Sequence, residues 1–265
     1  MEHKAPVKIG NDLTRASYSL TLNEKRLVMY AIAKGERVDS KINVLAIDCA
    51  AFYNMEKTNA RKQFIRAMNS LWNREFVPHK NNSNLGFRWI ITRSKYDTGI
   101  ITLEFHPDLL QYLENLHERY TKYFLTRAAN FKLFYSWRLF EMLMQFRKTG
   151  VSKISVNDFV DQLELGENYR NDFYRLRVKV LEPALKEIRG KAELPVKMKT
   201  TKTGRKVTGL EFKFPVEQQK GLSLNKPKQT TKPKINNAYI EQHARPGETY
   251  EQARRRLEEE IKEVA

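Results

Sequence analysis

At 265 residues, with 41% hydrophobic and 30% charged side chains, the chain is long enough for two domains of ordinary size with genuine cores. Its net charge of +17 points to a polyanionic partner, because Lys and Arg laid against phosphates release condensed counterions. The single cysteine, Cys49, excludes an internal disulfide and a cysteine metal cluster, no apolar run reaches the roughly 20 residues that span a bilayer, and no signal-peptide segment is recognisable.

Residues 1–10 are polar and basic and are expected to be loose. Thr21 and Glu24 make a capping box that opens a helix to about Lys34, with Leu27, Met29, Tyr30, Ile32 and Ala33 on its apolar side and Gly35 ending it. Residues 43–47 read as a short strand, and Asp48 as the N-cap of a brief helix in which Cys49 is a buried filler. Thr58 caps a further helix to about Trp72, whose stripe is Ala60, Phe64, Ile65, Met68, Leu71 and Trp72; Arg61, Lys62, Arg66 and Asn69 stand opposite. Strand-like segments at residues 74–78, 87–93 and 100–105, separated by HKNNSNLG and YDTG, form the wing of this first helix-turn-helix.

Pro107 starts a helix to about Tyr120, after which the pattern loosens and a domain border is placed after residue 124. Residues 131–148 form a strongly apolar helix with Leu133, Phe134, Trp137, Leu139, Phe140, Leu143, Met144 and Phe146, a core stripe rather than a ligand site. Residues 152–155 are a short strand, Ser155 and Asp158 cap a brief helix to Leu165, and Gly166 breaks the chain.

Next come the most basic elements of the chain. Residues 168–191 read as one long helix holding Arg170, Arg175, Arg177, Lys179, Lys186, Arg189 and Lys191, and Lys197, Lys199, Lys202, Arg205 and Lys206 follow on a two-stranded ribbon. A helical wheel puts Phe173, Leu176, Val180, Ala184 and Ile188 inward and Arg175, Lys179 and Lys186 outward, with Arg177 toward the apolar edge, where it reaches phosphate from the rim. Pro183 removes a backbone donor and predicts a bend. Residues 217–246 read as a flexible linker and residues 248–264 as a helical tail.

Each half thus reads helix, short strand, short helix, turn, basic helix, ribbon. The fold class is α+β: two tandem winged-helix domains with a pseudo-two-fold relation, at residues 11–124 and 125–216, between a flexible N-terminus (1–10) and a flexible tail ending in a helix (217–265). The five histidines are scattered, and no phosphate loop, nucleophile elbow or zinc motif occurs, so no enzyme activity, cofactor or metal is expected. Double-stranded DNA is the expected partner, with Arg61, Lys62, Arg66, Arg170, Arg175, Arg177, Lys179, Lys186, Lys197, Lys199, Lys202, Arg205 and Lys206 as candidate contacts.

The segments NDLTRASYSLTLNEKRLVMYAIA, FYSWRLFEMLMQFRKTG and RVKVLEPALKEI resemble the iteron-binding plasmid replication initiators, in the right order and spacing, over about residues 10–215. The resemblance implies two winged helices that bind origin repeats. It further implies monomers that help open the origin and recruit a host initiator and the replicative helicase, homodimers that repress the protein's own promoter, and a bacterial cytoplasmic location on plasmid or nucleoid DNA. In that family the C-terminal recognition helix dominates, matching the helix with Arg175, Arg177 and Lys179, while the N-terminal domain adds a DNA surface, matched by Arg61, Lys62 and Arg66, and the dimer contact. Where relatives tend to have a contiguous basic run, this chain interposes Leu176 and Val178, leaving the base-reading side chain open. Two alternatives stand beside this reading: an initiator that nicks its origin through one of the 12 tyrosines, and a plain winged-helix repressor.

Overall fold

The computed structural model describes residues 6–34, 41–77, 86–94, 99–114, 120–216, 248–249 and 251–256. They belong to two compact units, Met1–Glu217 and Gln218–Ala265. Contrary to the expectation of a loose start, residues 6–10 are a strand. In β1 (Pro6–Gly10) Val7 and Ile9 are fully buried, and the strand pairs antiparallel with Tyr120–Phe124, so two apolar side chains at period two suffice to order it. Helix α1 (Asn11–Arg15) follows, then α2 (Leu22–Lys34). The predicted capping box starts α2: the Thr21 N–H donates to Glu24 Oε2 at 2.6 Å and the Glu24 N–H to Thr21 Oγ1 at 3.3 Å.

Strand β2 (Lys41–Leu45) alternates, with Ile42 and Val44 inward. Helix α3 (Ala46–Phe52) begins directly at its end, so Asp48 lies in the first turn, near the positive end of the helix dipole, and is not the N-cap. Helix α4 (Lys57–Leu71) begins after Glu56, which places Thr58 inside the helix rather than at its cap. Its stripe is buried at Ala60, Phe64, Met68 and Leu71 and half-buried at Ile65 and Trp72. Strands β3 (Glu75–Phe76) and β4 (Phe87–Arg88) pair with each other; β5 (Ile90–Arg93) and β6 (Ile100–Phe105) form the wing, with β6 between β2 and β5. Gly35 and most of the two predicted turns lie outside the described residues. Helix α5 (Pro107–Glu114) starts at Pro107 as predicted, residues 115–119 lie outside the described residues, and Tyr120, expected near the helix end, belongs to β7 (Tyr120–Phe124), the partner of β1.

After α6 (Thr126–Ala129), α7 (Phe134–Met144) is buried on every side from Ser136 through Met144. A helix with no exposed face over nine residues must be enclosed, and here elements of both halves pack around it. Strand β8 (Val151–Ser155) leads into α8 (Val156–Gln162), where Ser155 Oγ accepts from the Asp158 N–H at 2.9 Å as predicted.

The single basic helix expected after Gly166 is broken. Helix α9 (Glu167–Asn171) stops at Asp172, whose extended backbone and carboxylate cap α10 (Phe173–Leu176), accepting from the Arg175 N–H at 2.9 Å. The chain then widens into a π turn, Arg177–Leu181, and returns to α-geometry in α11 (Glu182–Lys191). Pro183 lacks an N–H, and its ring would collide with the residue-179 carbonyl in a regular turn. A wider turn just before it removes both conflicts, so the disturbance expected at Pro183 takes this form.

Strands β9 (Lys197–Thr203) and β10 (Lys206–Lys213) close the second sheet in the order β8-β10-β9, the same arrangement as β2-β6-β5. Each half is therefore a winged helix. In the second unit, residues 251–256 are helical, with the Thr249 N–H donating to Gln252 Oε1 at 2.9 Å and Arg256 paired with Glu248 at 2.9 Å. The predicted linker and the remainder of the tail lie outside the described residues.

One core feature contradicts an apolar reading of α7. Arg138 and Glu141 are both fully buried on it. Glu141 Oε2 pairs with Lys25 of α2 at 2.9 Å and stands 3.6 Å from Arg138, and its Oε1 accepts from Tyr123 of β7 at 2.8 Å. Arg138 also donates to Tyr18 Oη at 2.6 Å, to the Ala16 carbonyl at 2.9 Å and to the Gln162 carbonyl of α8 at 3.1 Å. Groups from both halves thus converge on one buried ionic cluster. Burial, with the Glu141 charge next, pushes the Tyr123 hydroxyl pKa well up, keeping it a donor.

Candidate nucleic-acid interface

The second winged helix presents its cations on two surfaces, one helical and one on its sheet. Along α10 and the π turn, Leu176, Val180 and Leu181 are buried, and Tyr174, Arg175, Arg177 and Lys179 are exposed. Arg175 and Lys179 are four residues apart and share a row, which Lys186 continues, exposed, on α11. The Arg175 guanidinium lies over the Tyr169 ring of α9, 5.5 Å from its centre, so the break at Asp172 supplies both a cap and an aromatic rest for this side chain. Arg177 meets Glu182 at 2.7 Å, a pairing at i,i+5 that the π turn brings into reach.

Arg170 is also ion-paired, but across elements. It is tied to Asp161 of α8 at 2.6 Å and to Glu167 at 3.1 Å, bracing α9 against α8. Glu187 does similar work at the other end, accepting from the Lys132 and Leu133 backbone N–H groups at 3.1 Å each and thereby capping α7 from α11. Burial opposes its ionisation, but these bonds and the contact with Lys191 hold its carboxyl below the usual range.

On the sheet, Leu210 and Phe212 face the core, and the opposite face carries Lys153, Lys197, Lys199 and Lys213 around Glu211. Hydrogen bonds from Lys213 and Lys153 hold the Glu211 carboxyl below its ordinary value. Lys202, Arg205 and Lys206 are exposed toward the free end of the hairpin, beside Gly204, whose φ of +60° permits the tight turn. Sequence reading misses Lys153 and Lys213; the strand register that puts Lys153, Glu211 and Lys199 in one row is the signal that finds them.

In the first winged helix Arg61, Lys62 and Arg66 are exposed on α4, and Arg61 reaches over the wing turn at Gly99. Two further cations, missed in the sequence, cluster at the C-terminal end of α4. Arg88 and Arg93 stand over the Trp72 ring, 5.6 and 5.4 Å from its centre, and Arg93 also bonds Asn69. Trp72, predicted as core, is only half-buried and serves as their platform.

Among the described residues, no group of three or more His, Cys, Asp or Glu side chains is placed to hold a metal, and no helix is long and apolar enough to cross a membrane. Cys49 is enclosed, and burial pushes its thiol pKa up.

The duplicated strand order, with an exposed cationic helix and hairpin in each half, defines a tandem winged-helix protein. Residues 6–144 match the family model described as Initiator Replication protein, WH1, and residues 155–214 the one described as Initiator Rep protein, WH2. The chain belongs to this family of replication initiators. The border expected after residue 124 falls inside the first matched span.

An Escherichia coli protein described as an uncharacterized 27.6 kDa protein is 26% identical over 223 residues, 77% of this chain and 93% of that one. The solved structure of the Pi initiator protein in complex with iteron DNA is similar in fold, with a TM-score of 0.69 and 20% identity over 82% of this chain and 100% of that one. The WH1 domain of MSBI1.176, a replication protein isolated from a multiple sclerosis patient, is 26% identical, with a TM-score of 0.30 over 38% of this chain and 88% of that domain.

Proposed function

We propose that the protein initiates plasmid replication by binding repeated duplex sites, iterons, with both winged helices, α10 through α11 and α4 each entering a major groove while the hairpins follow the phosphates. The observation that carries the reading is the outward row Arg175, Lys179 and Lys186, together with the cationic outer face of the β8-β10-β9 sheet. Arg and Lys on such a row match guanine O6 and N7, and the ribbon lysines match the backbone. Binding along an array of repeats bends and strains adjacent A/T-rich DNA toward melting. As in the resemblance stated above, monomers open the origin with a host initiator and helicase, dimers repress the gene, and the protein works in the bacterial cytoplasm without catalysing a covalent step.

Nuclease footprinting on the DNA flanking the protein's own gene tests this. Protection of a directly repeated sequence, on one helical face per repeat, is the expected result; uniform protection without sequence preference overturns it. Incubation with supercoiled origin DNA and a divalent ion tests the non-enzymatic part. A covalent protein–DNA adduct would overturn that part.

A further inference from the structure

We propose that Tyr174, with Val178 one turn further on, reads the 5-methyl group of thymine and so sets part of the sequence preference of the C-terminal winged helix. The proposal rests on the reading that this helix enters the major groove. Tyr174 is 75% exposed, well above the next large hydrophobic side chain among the described residues, Ile47 at 52%. Its side chain makes no hydrogen bond or ring contact among the described residues, while its neighbours Phe173 and Leu176 supply the packing of α10. Leaving an aromatic ring in water at the first turn of a helix forgoes the apolar burial available to it.

The placement suits a base edge better than a phosphate. Tyr174 and Val178 lie four residues apart, on the side of the helix between Arg177 and the Arg175–Lys179 row. Apolar side chains at the centre of a cationic face displace phosphate-binding charge. The major groove offers one apolar group among its donors and acceptors, the thymine methyl. Docked helix-turn-helix motifs bring the N-terminal residues of the reading helix closest to the bases. Here that end is held by the Asp172 cap and the Arg175–Tyr169 stack, so the ring is presented from a fixed base. The same geometry resolves the interruption of the basic run: Leu176 is core, and half-exposed Val178 belongs to the reading surface.

The test begins with duplexes selected from a random pool by the wild-type protein. In one recovered site each thymine is replaced singly by deoxyuridine, and affinities are measured for wild type, Tyr174→Ala and Tyr174→Phe. At one or two positions loss of the methyl weakens wild type about five-fold or more. Tyr174→Ala binds the unmodified site more weakly by a similar factor and is indifferent to uracil there, with an unchanged unfolding midpoint and unchanged binding to a scrambled duplex. Tyr174→Phe behaves as wild type. Full uracil sensitivity in Tyr174→Ala, or a Phe variant as weak as Ala, overturns the assignment while leaving sequence-specific binding intact. A wild-type protein that enriches no sequence overturns the underlying reading, and this assignment with it.

Discussion

The ionic cluster beneath the two winged helices makes the sharpest energetic prediction. Glu141 is fully buried and bonded to two fully buried cations, Lys25 at 2.9 Å and Arg138 at 3.6 Å. Glu141→Gln keeps the shape and removes the charge, leaving two cations facing one another in the core. Breaking a buried pair from one side costs about 3–5 kcal/mol, because the surviving charge has lost the partner that offset its desolvation. That is a large part of the roughly 5–15 kcal/mol that holds a typical protein folded. For a unit of this size the loss corresponds to a fall in Tm of roughly 6–20 °C. Lys25→Met should cost less, since Glu141 keeps Arg138 and the Tyr123 hydroxyl, and the double variant should show a coupling of about 0.5–3 kcal/mol between the two sites. Urea unfolding followed by circular dichroism, on wild type, both single variants and the double, gives all four values. A Glu141→Gln variant within about 1 kcal/mol of wild type, or one more stable than Lys25→Met, would refute the reasoning.

Arg175→Ala and Lys179→Ala should each weaken binding to a selected site while shifting stability by no more than about 0.5 kcal/mol, since both are exposed; affinity unchanged in either removes that residue from the interface. If roughly 6 to 10 phosphates are contacted, affinity falls by about three to five decades between about 50 and 200 mM salt, and a nearly flat titration contradicts the phosphate-dominated reading. Glu187→Gln should destabilise the fold by about 0.5–2 kcal/mol through its weakened cap on α7. Because the folded carboxyl titrates below its unfolded value, its stabilisation is complete above the unfolded value, near pH 4.3, and is lost as pH falls through the folded one. The variant should therefore lose less stability on acidification than wild type, and parallel acid-unfolding curves would count against the cap.

Local signals account for the elements that sequence reading locates well. Thr21 with Glu24, and Ser155 with Asp158, are caps because their side chains bond groups three residues away, a distance no tertiary arrangement alters. Asp48 and Thr58 carry the same chemistry but are not caps, because each helix starts where the preceding segment leaves it, and a residue type alone cannot mark that point. The loose reading of residues 6–10 fails for a related reason: Val7 and Ile9 are too few to announce a strand until Tyr120–Phe124, more than a hundred residues later, offers a partner. Trp72 and Arg138 show the limit in side chains. One is an aromatic half left out of the core to carry Arg88 and Arg93, and the other a cation enclosed because Tyr18, the Ala16 and Gln162 carbonyls and Glu141 meet it from distant segments.

Net charge, the helix–strand–helix–ribbon order repeated in the two halves, and the outward row of Arg175, Lys179 and Lys186 are properties of the sequence itself, since they depend on composition and on periods of two and 3.6 residues. Tertiary structure alone decides which cations remain free to meet a polyanion. Arg170 is bound to Asp161, Arg177 to Glu182, and Lys153 and Lys213 join the outer sheet face only through strand register. Charge is counted along the chain, but its availability depends on neighbours that only folding brings within a few ångströms.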